Sequence, residues 1–197
     1  MSNNNHFNSV AGVILAGGMS RRMGEDKAQV NLNNLSLLQR AKALLTELGC
    51  SPIYISSNEL DGAIKDNFIS FGPVAGIEAC LSEVIKQKSA NRLVVIPVDM
   101  PLLTAEILTT LVTNTDDDRV GHFNYQQFPM VLPATTDVHN SIAAALGATE
   151  QQSGLSIKKL FQLLKSRTIA GNFDDKIEFN NCNTPEELEQ VRVILKK

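Results

Sequence analysis

The chain is poor in several things at once, and each shortage removes a class of function. It has no excess of positive charge: 18 lysines and arginines against 21 aspartates and glutamates leave a net charge of −3. No basic field therefore marks it as a nucleic-acid binder. No apolar run approaches the roughly 20 residues that a membrane-spanning helix needs. The opening MSNNNHFNS is polar and lacks the charged and apolar regions of a secretion signal. Residues 1–9 are expected to form a disordered tail and the protein to be cytoplasmic, with no membrane partner. Three cysteines, Cys50, Cys80 and Cys182, are odd in number, widely spaced and free of any CxxC pattern. They read as buried, reduced thiols. Histidine is equally scarce: His6 lies in the tail, and His122 and His139 lack partners at metal-ligand spacing and read as surface or loop residues. No Ser-His-Asp arrangement or cysteine nucleophile stands out. There is no internal repeat, low-complexity segment or linker. What remains is an ordinary globular composition, 43% hydrophobic and 20% charged over 197 residues, enough for one domain spanning 10–197 with a real core.

Strand and helix patterns alternate along the chain. Val10–Ala16 is a continuous apolar run, the mark of a strand buried on both faces. Leu37–Leu48 carries apolar residues at helical spacing, with Ser36 and Gln39 as a capping box and Gly49 at its end. Pro52–Ser57 reads as a strand, Gly72–Gln87 as a GPVAG turn and helix, Leu93–Val98 as a buried strand, and Thr104 as the cap of a helix to about Val112. Asp116–Asp118 reads as a solvated turn, Phe128–Pro133 as a strand, and Asn140–Leu146 and Ser156–Leu164 as helices. Ile177–Asn180 reads as a short strand. Thr184, Pro185 and Glu187 signal a helix to Leu195. Alternation of this kind predicts an α/β fold: a single-domain, three-layer, Rossmann-like arrangement around a mostly parallel, mixed sheet. In such sheets ligands bind beyond the carboxyl ends of the strands.

The most informative segment is Leu15–Lys27, LAGGMSRRMGEDK, directly after the first buried run. Glycines let backbone N–H groups reach phosphate oxygens, so Gly17 and Gly18 are candidate nucleotide contacts. Arg21, Arg22 and Lys27 add positive charge for phosphates. Spacing excludes two familiar phosphate loops. A Walker loop needs GxxxxGK followed by Ser or Thr, whereas Gly18 and Gly24 enclose five residues and Ala28 follows Lys27. A GxGxxG dinucleotide turn cannot be drawn through Gly17, Gly18 and Gly24. Asp99, directly after the buried strand at Leu93–Val98, is placed to hold Mg2+ against triphosphate oxygens, because Mg2+ takes few protein ligands. GPVAG, Gly72–Gly76, offers small residues for close approach.

LAGGMSRRMGEDKA resembles the opening signature of the molybdenum cofactor guanylyltransferases, a family within the nucleotidyltransferase superfamily. The resemblance continues at GPVAG, at Asp99 in DMP, and at Asn181–Leu188, NCNTPEEL. It implies a nucleotidyltransferase fold. It implies nucleotide contacts at Leu15, Ala16, Gly17, Gly18, Arg21, Lys27, Asn58, Gly72, Pro73, Gly76 and Asp99, with Ser56 an alternative to Asn58. Catalytic roles fall on Arg22, Lys27 and Asp99, and metal contacts on Asp99, Asn183 and Asn181. The implied activity is Mg2+-dependent transfer of GMP from GTP to molybdopterin carrying molybdenum, with release of pyrophosphate. GTP and the molybdenum cofactor are the implied partners, with cofactor-delivery or acceptor molybdoenzyme proteins beyond them. A cytidylyl or sugar-1-phosphate transfer, and a non-catalytic nucleotide-binding protein, are the other readings. The chain departs from the family pattern where FISF runs straight into Gly72 in place of an Asp-bearing strand, with Asp66 lying upstream. It departs again at Phe128-Pro129, in place of His-Pro, and near Leu155, where an Arg is usual.

Overall fold

In the computed structural model, which describes residues 10–17, 27–148, 154–171 and 177–195, the first apolar run forms β1 (Val10–Leu15), buried along its whole length. A short hairpin of β2 (Asn31–Leu32) and β3 (Leu35–Ser36) leads into α1 (Leu37–Glu47). Then come β4 (Ile53–Ser56), α2 (Pro73–Gln87), β5 (Arg92–Pro97) and α3 (Ala105–Asn114). The chain continues through β6 (Gly121–Phe123), β7 (Met130–Pro133), α4 (Thr136–Gly147), α5 (Ile157–Leu163), β8 (Arg167–Ile169) and α6 (Pro185–Ile194).

One six-stranded sheet runs in the order β4-β1-β5-β7-β6-β8. β4 and β5 lie parallel to β1 on either side, β8 lies parallel to β6, and β7 alone runs antiparallel to its neighbours β5 and β6. The sheet is thus mostly parallel and mixed. Alternate residues of the central strands feed two cores. Val10 and Ile14 of β1 join Val94 and Ile96 of β5 on the face covered by α1, α3 and α6. Ala11, Val13 and Leu15 join Leu93 and Val95 on the face covered by α2, α4 and α5. A strand buried on both faces has no polar side to show, which is why these runs are continuously apolar.

The helix ends follow local chemistry. Ser36 accepts from the Gln39 N–H while the Gln39 side chain accepts from the Ser36 N–H, closing the capping box of α1. Thr104, Thr135, Ser156 and Thr184 cap α3, α4, α5 and α6 in the same way, each hydroxyl accepting an N–H of its helix's first turn.

Several expectations are corrected. Ile177–Phe179 is a 3₁₀ turn rather than a strand. The Asn180 N–H closes it onto the Ile177 carbonyl, and Phe179 buries itself edge-on against Phe123 of β6 instead of joining a ladder. Asp116–Asp118 is more than a solvated turn. Asp117 receives the buried Arg92 guanidinium at 2.9 Å, and Asp116 receives Arg167 at 3.0 Å. His139 lies within α4 rather than in a loop, and His122 lies in β6, stacked on Phe161. All three cysteines are free and buried, as expected. Residues 1–9 lie outside the described residues. No helix among the described residues is long and apolar enough to cross a membrane.

Candidate active site

The chain leaves β1 for β4 on one side and returns to β5 on the other, so the order reverses at β1. Ligands of parallel sheets lodge at such a switch point. The register sets Leu15 beside Ser56 of β4 and Pro97 of β5. Two backbone bonds carry the alignment past the strand ends: Ala16 N–H donates to the Ser56 carbonyl at 2.9 Å, and Val98 N–H to the Leu15 carbonyl at 3.0 Å. Gly17 and Asp99 therefore emerge side by side at the carboxyl edge of the sheet.

Lys27 returns to that edge from the 3₁₀ turn Lys27–Gln29. Its Nζ donates to Asp99 Oδ2 at 2.9 Å and also to Asn183 Oδ1. Both ionic side chains are mostly covered, at 17% exposure each. Asn183 comes from the far end of the chain, and its placement has a local cause. The Cys182 N–H donates to the Asp99 carbonyl at 2.7 Å, which stitches the segment before α6 to the end of β5. Glu187 then accepts from the Asn183 N–H at 2.6 Å and from the Thr184 N–H at 3.0 Å. The backbone is held on one side and the amide side chain is directed to Lys27. Asn181 is exposed and lines a neighbouring groove together with Asn183, Asn180 and Leu102.

Beside this polar cluster lies a cleft of about 370 Å³. Leu15, Gly17, Asn58, Gly72, Pro73 and Gly76, all expected from the sequence, line it together with Ser56, Ser57, Asp66, Ile69 and Ser70. Two glycines here have steric reasons. Gly72 has φ +76°, a left-handed backbone that admits other residues only with strain, and it starts α2 with Pro73 at the first helical position. Gly76 sits where a Cβ would fall 2.1 Å from Ser56 Oγ, so α2 closes on β4 only with glycine there. Ala16 is buried behind the cleft. Gly18, Arg21 and Arg22 lie outside the described residues.

The residue that sequence reasoning left unassigned is Asp66. After β4 the Ser57 hydroxyl accepts from the Glu59 and Leu60 N–H groups, turning the chain. Ile64 then returns beside Ser56 in a parallel bridge. This brings Asp66 back alongside Asn58: Asn58 Nδ2 donates to Asp66 Oδ2 at 3.0 Å, and the Asp66 N–H donates to Asn58 Oδ1 at 2.9 Å. Burial pushes the Asp66 carboxyl above its ordinary value; the hydrogen bond from Asn58 pulls the other way, and the nearby Glu78 charge adds to the rise. The only sequence signal was an acid eight positions after Asn58, and no periodic pattern spans that loop.

A glycine just past the end of β1, a lysine and an acid at a switch point suit binding of a nucleoside triphosphate. Residues 12–167 match the family model described as a MobA-like NTP transferase domain. The chain belongs to that family. It is 34% identical over 181 residues to the molybdenum cofactor guanylyltransferase of Xanthomonas euvesicatoria, covering 91% of this chain and 93% of that one. It is 30% identical over 199 residues to the protein of the same name from a Shewanella species, covering 92% and 94%. Among solved structures, the molybdopterin-guanine dinucleotide biosynthesis protein A of Archaeoglobus fulgidus superposes with TM-score 0.69 at 20% identity over 94% of this chain and 98% of that one. A 4-diphosphocytidyl-2C-methyl-D-erythritol synthase from Anaerococcus prevotii gives 0.72 at 10% identity over 99% and 100%. These likenesses show the nucleotidyltransferase fold. In the MobA-like family the chain is a nucleotide-transferring enzyme.

Proposed function

We propose that the protein transfers GMP from GTP to the terminal phosphate of molybdopterin carrying molybdenum, forming a molybdopterin guanine dinucleotide and pyrophosphate. The names of its relatives support the substrates. The observation that carries the reading is the meeting of Lys27, Asp99 and Asn183 at the switch point, next to the glycine-lined cleft. In this reading the cleft takes the base and ribose. The backbone at Gly17 and Gly18 approaches the phosphates, and Lys27, Arg22 and Arg21 neutralise them. Asn58 and Asp66 face the nucleoside.

The donor set fits Mg2+. Asp99 Oδ2 and Asn183 Oδ1 are hard oxygen donors that already converge on one cation, the Lys27 ammonium. Asp99 and Asn183 would hold the ion, with Asn181 on the same segment. When bound, the ion withdraws charge from phosphate oxygens.

Little covalent chemistry is asked of the protein. An acceptor phosphate oxygen, already anionic, attacks the α-phosphorus in line. The new O–P bond forms as the bond to the bridging oxygen of pyrophosphate breaks, and pyrophosphate leaves with the electron pair. No strong base is needed. The barrier is the approach of two anions, so fixed positive charge and alignment supply the acceleration.

The test is a pyrophosphate-release assay with purified protein, Mg2+, molybdate-loaded molybdopterin and each of GTP, CTP, UTP and ATP. Release with GTP, dependent on both metal and acceptor, is expected. Preference for CTP, turnover with a sugar 1-phosphate instead, or saturable GTP binding without release would overturn the reading.

A further inference from the structure

Among the described residues Glu78 is the one carboxylate buried to 3% exposure. It sits on α2, two residues beyond Gly76, inside an otherwise apolar helix face. A carboxylate removed from water is costly unless both oxygens find donors. Here both do. His139 Nε2 of α4 lies 2.7 Å from Glu78 Oε1, and Asn67 Nδ2 donates to Glu78 Oε2 at 3.1 Å. None of the three lines the cleft, so the network acts on no ligand directly. What it holds is the loop between β4 and α2. Asn67 is the neighbour of Asp66, whose side chain and N–H are paired with Asn58 on the cleft wall. On the other side Phe68 packs edge-on against the buried Phe71, with ring centroids 5.9 Å apart. The loop is thus pinned at Asn67 and Phe68, immediately behind its polar, cleft-facing residue.

We propose that Glu78, held by His139 and holding Asn67, is a positioning residue for recognition of the nucleotide base. It fixes the β4–α2 loop so that Asn58 and Asp66 present their polar groups to the cleft. The proposal rests on the reading that this cleft takes the base of GTP. A solvated loop would lose alignment each time it moved, and a misplaced donor or acceptor discriminates poorly between bases. A buried acid in the rigid helix gives the loop a fixed point.

The experiment exploits polarity. Asn67 is exposed, so Asn67→Asp leaves the core intact while setting two carboxylates against each other. In the double variant Asn67→Asp/Glu78→Gln the pair is restored with donor and acceptor exchanged, and the oxygen of the introduced amide still accepts from His139. GTP and ATP are titrated calorimetrically into each protein with Mg2+ present, and thermal midpoints are recorded. Asn67→Asp should weaken GTP binding about tenfold and narrow the preference for GTP over ATP, with the midpoint lowered by several degrees because Glu78 Oε2 loses its donor, a loss the double variant should largely restore. The double variant should return GTP affinity to within about threefold. Unchanged affinity and preference in Asn67→Asp, a double variant that folds without recovery, or lowered midpoints with preference intact would each overturn the proposal. A wild-type protein that binds no GTP would overturn the cleft reading and the proposal together. Wild-type binding with unaffected variants removes the positioning role alone.

Discussion

The Lys27 ammonium is taken up by Asp99 and Asn183; in the proposed reaction it would also neutralise the triphosphate. Lys27→Ala and Asp99→Ala should each lower pyrophosphate release by about 10²–10³, with circular dichroism unchanged. Asp99→Asn is the sharper variant, because it keeps an acceptor for Lys27 while losing the charge. A loss below about tenfold would remove Asp99 from its role. Asp66 makes a prediction of opposite signs. Its folded-state pKa is raised above 3.8, so the ionised form is disfavoured in the fold, and the stabilisation present below that pH is lost as pH rises. Asp66→Asn should therefore raise the thermal midpoint at neutral pH, with the gain fading as pH falls toward 3.8 and absent below it, while GTP affinity falls. A variant that lost stability at neutral pH would contradict the sign. Lys27, Asp99 and Asn183 were legible as single residues because each sits in a motif or at a strand end. Asp66 and Glu78 were not, since their importance exists only once the loop after β4 has folded back.

At the scale of elements, the end of α6 nearest the site does more than terminate a helix. Glu187 ties down the N–H groups of both Asn183 and Thr184. Glu187→Ala should cost about 1 kcal/mol as a lost cap and should also reduce turnover, because Asn183 is no longer held toward Lys27. If the cost appears in urea unfolding while turnover is untouched, the capping box is only structural. Gly76→Ala should cost about 1–3 kcal/mol by forcing α2 off Ser56. Long amphipathic helices and the buried β1 and β5 could be read directly, since their periods run for many residues. Strands of two or three residues, β2, β3, β6 and β8, carry no measurable period. The β2–β3 turn did leave a trace: Asn33 and Asn34 both have positive φ, the backbone of a tight hairpin turn. Ile177–Phe179 looked like a strand because an apolar residue that buries in a turn leaves the same imprint as one in a ladder.

For the whole molecule, the two cores hold three thiols whose ionisation the fold resists. Burial pushes Cys50 and Cys80 up from 9.0 to about 12, and Cys182 to about 11. Their raised values add stability that is complete below pH 9.0 and lost as pH climbs toward 11 and 12. Cys80→Ala should therefore be destabilising below pH 9.0 and less so near pH 11, measured by urea unfolding. A gap that did not narrow would assign the alkaline loss to other groups. The topology was legible as alternation, and with it the edge on which the site lies. The reversal of β7 was not, because strand direction leaves no mark in composition.

The bond from the Cys182 amide to the Asp99 carbonyl has a kinetic consequence. Residues 27, 99 and 183 make one grip only when the last helix has docked, so fraying of α6 and loss of the cation's second oxygen are a single event. Nucleotide in the cleft should slow amide hydrogen exchange in α6, because Asn183, just before that helix, is bonded to Lys27. The enzyme's affinity would then report how completely its final segment has folded.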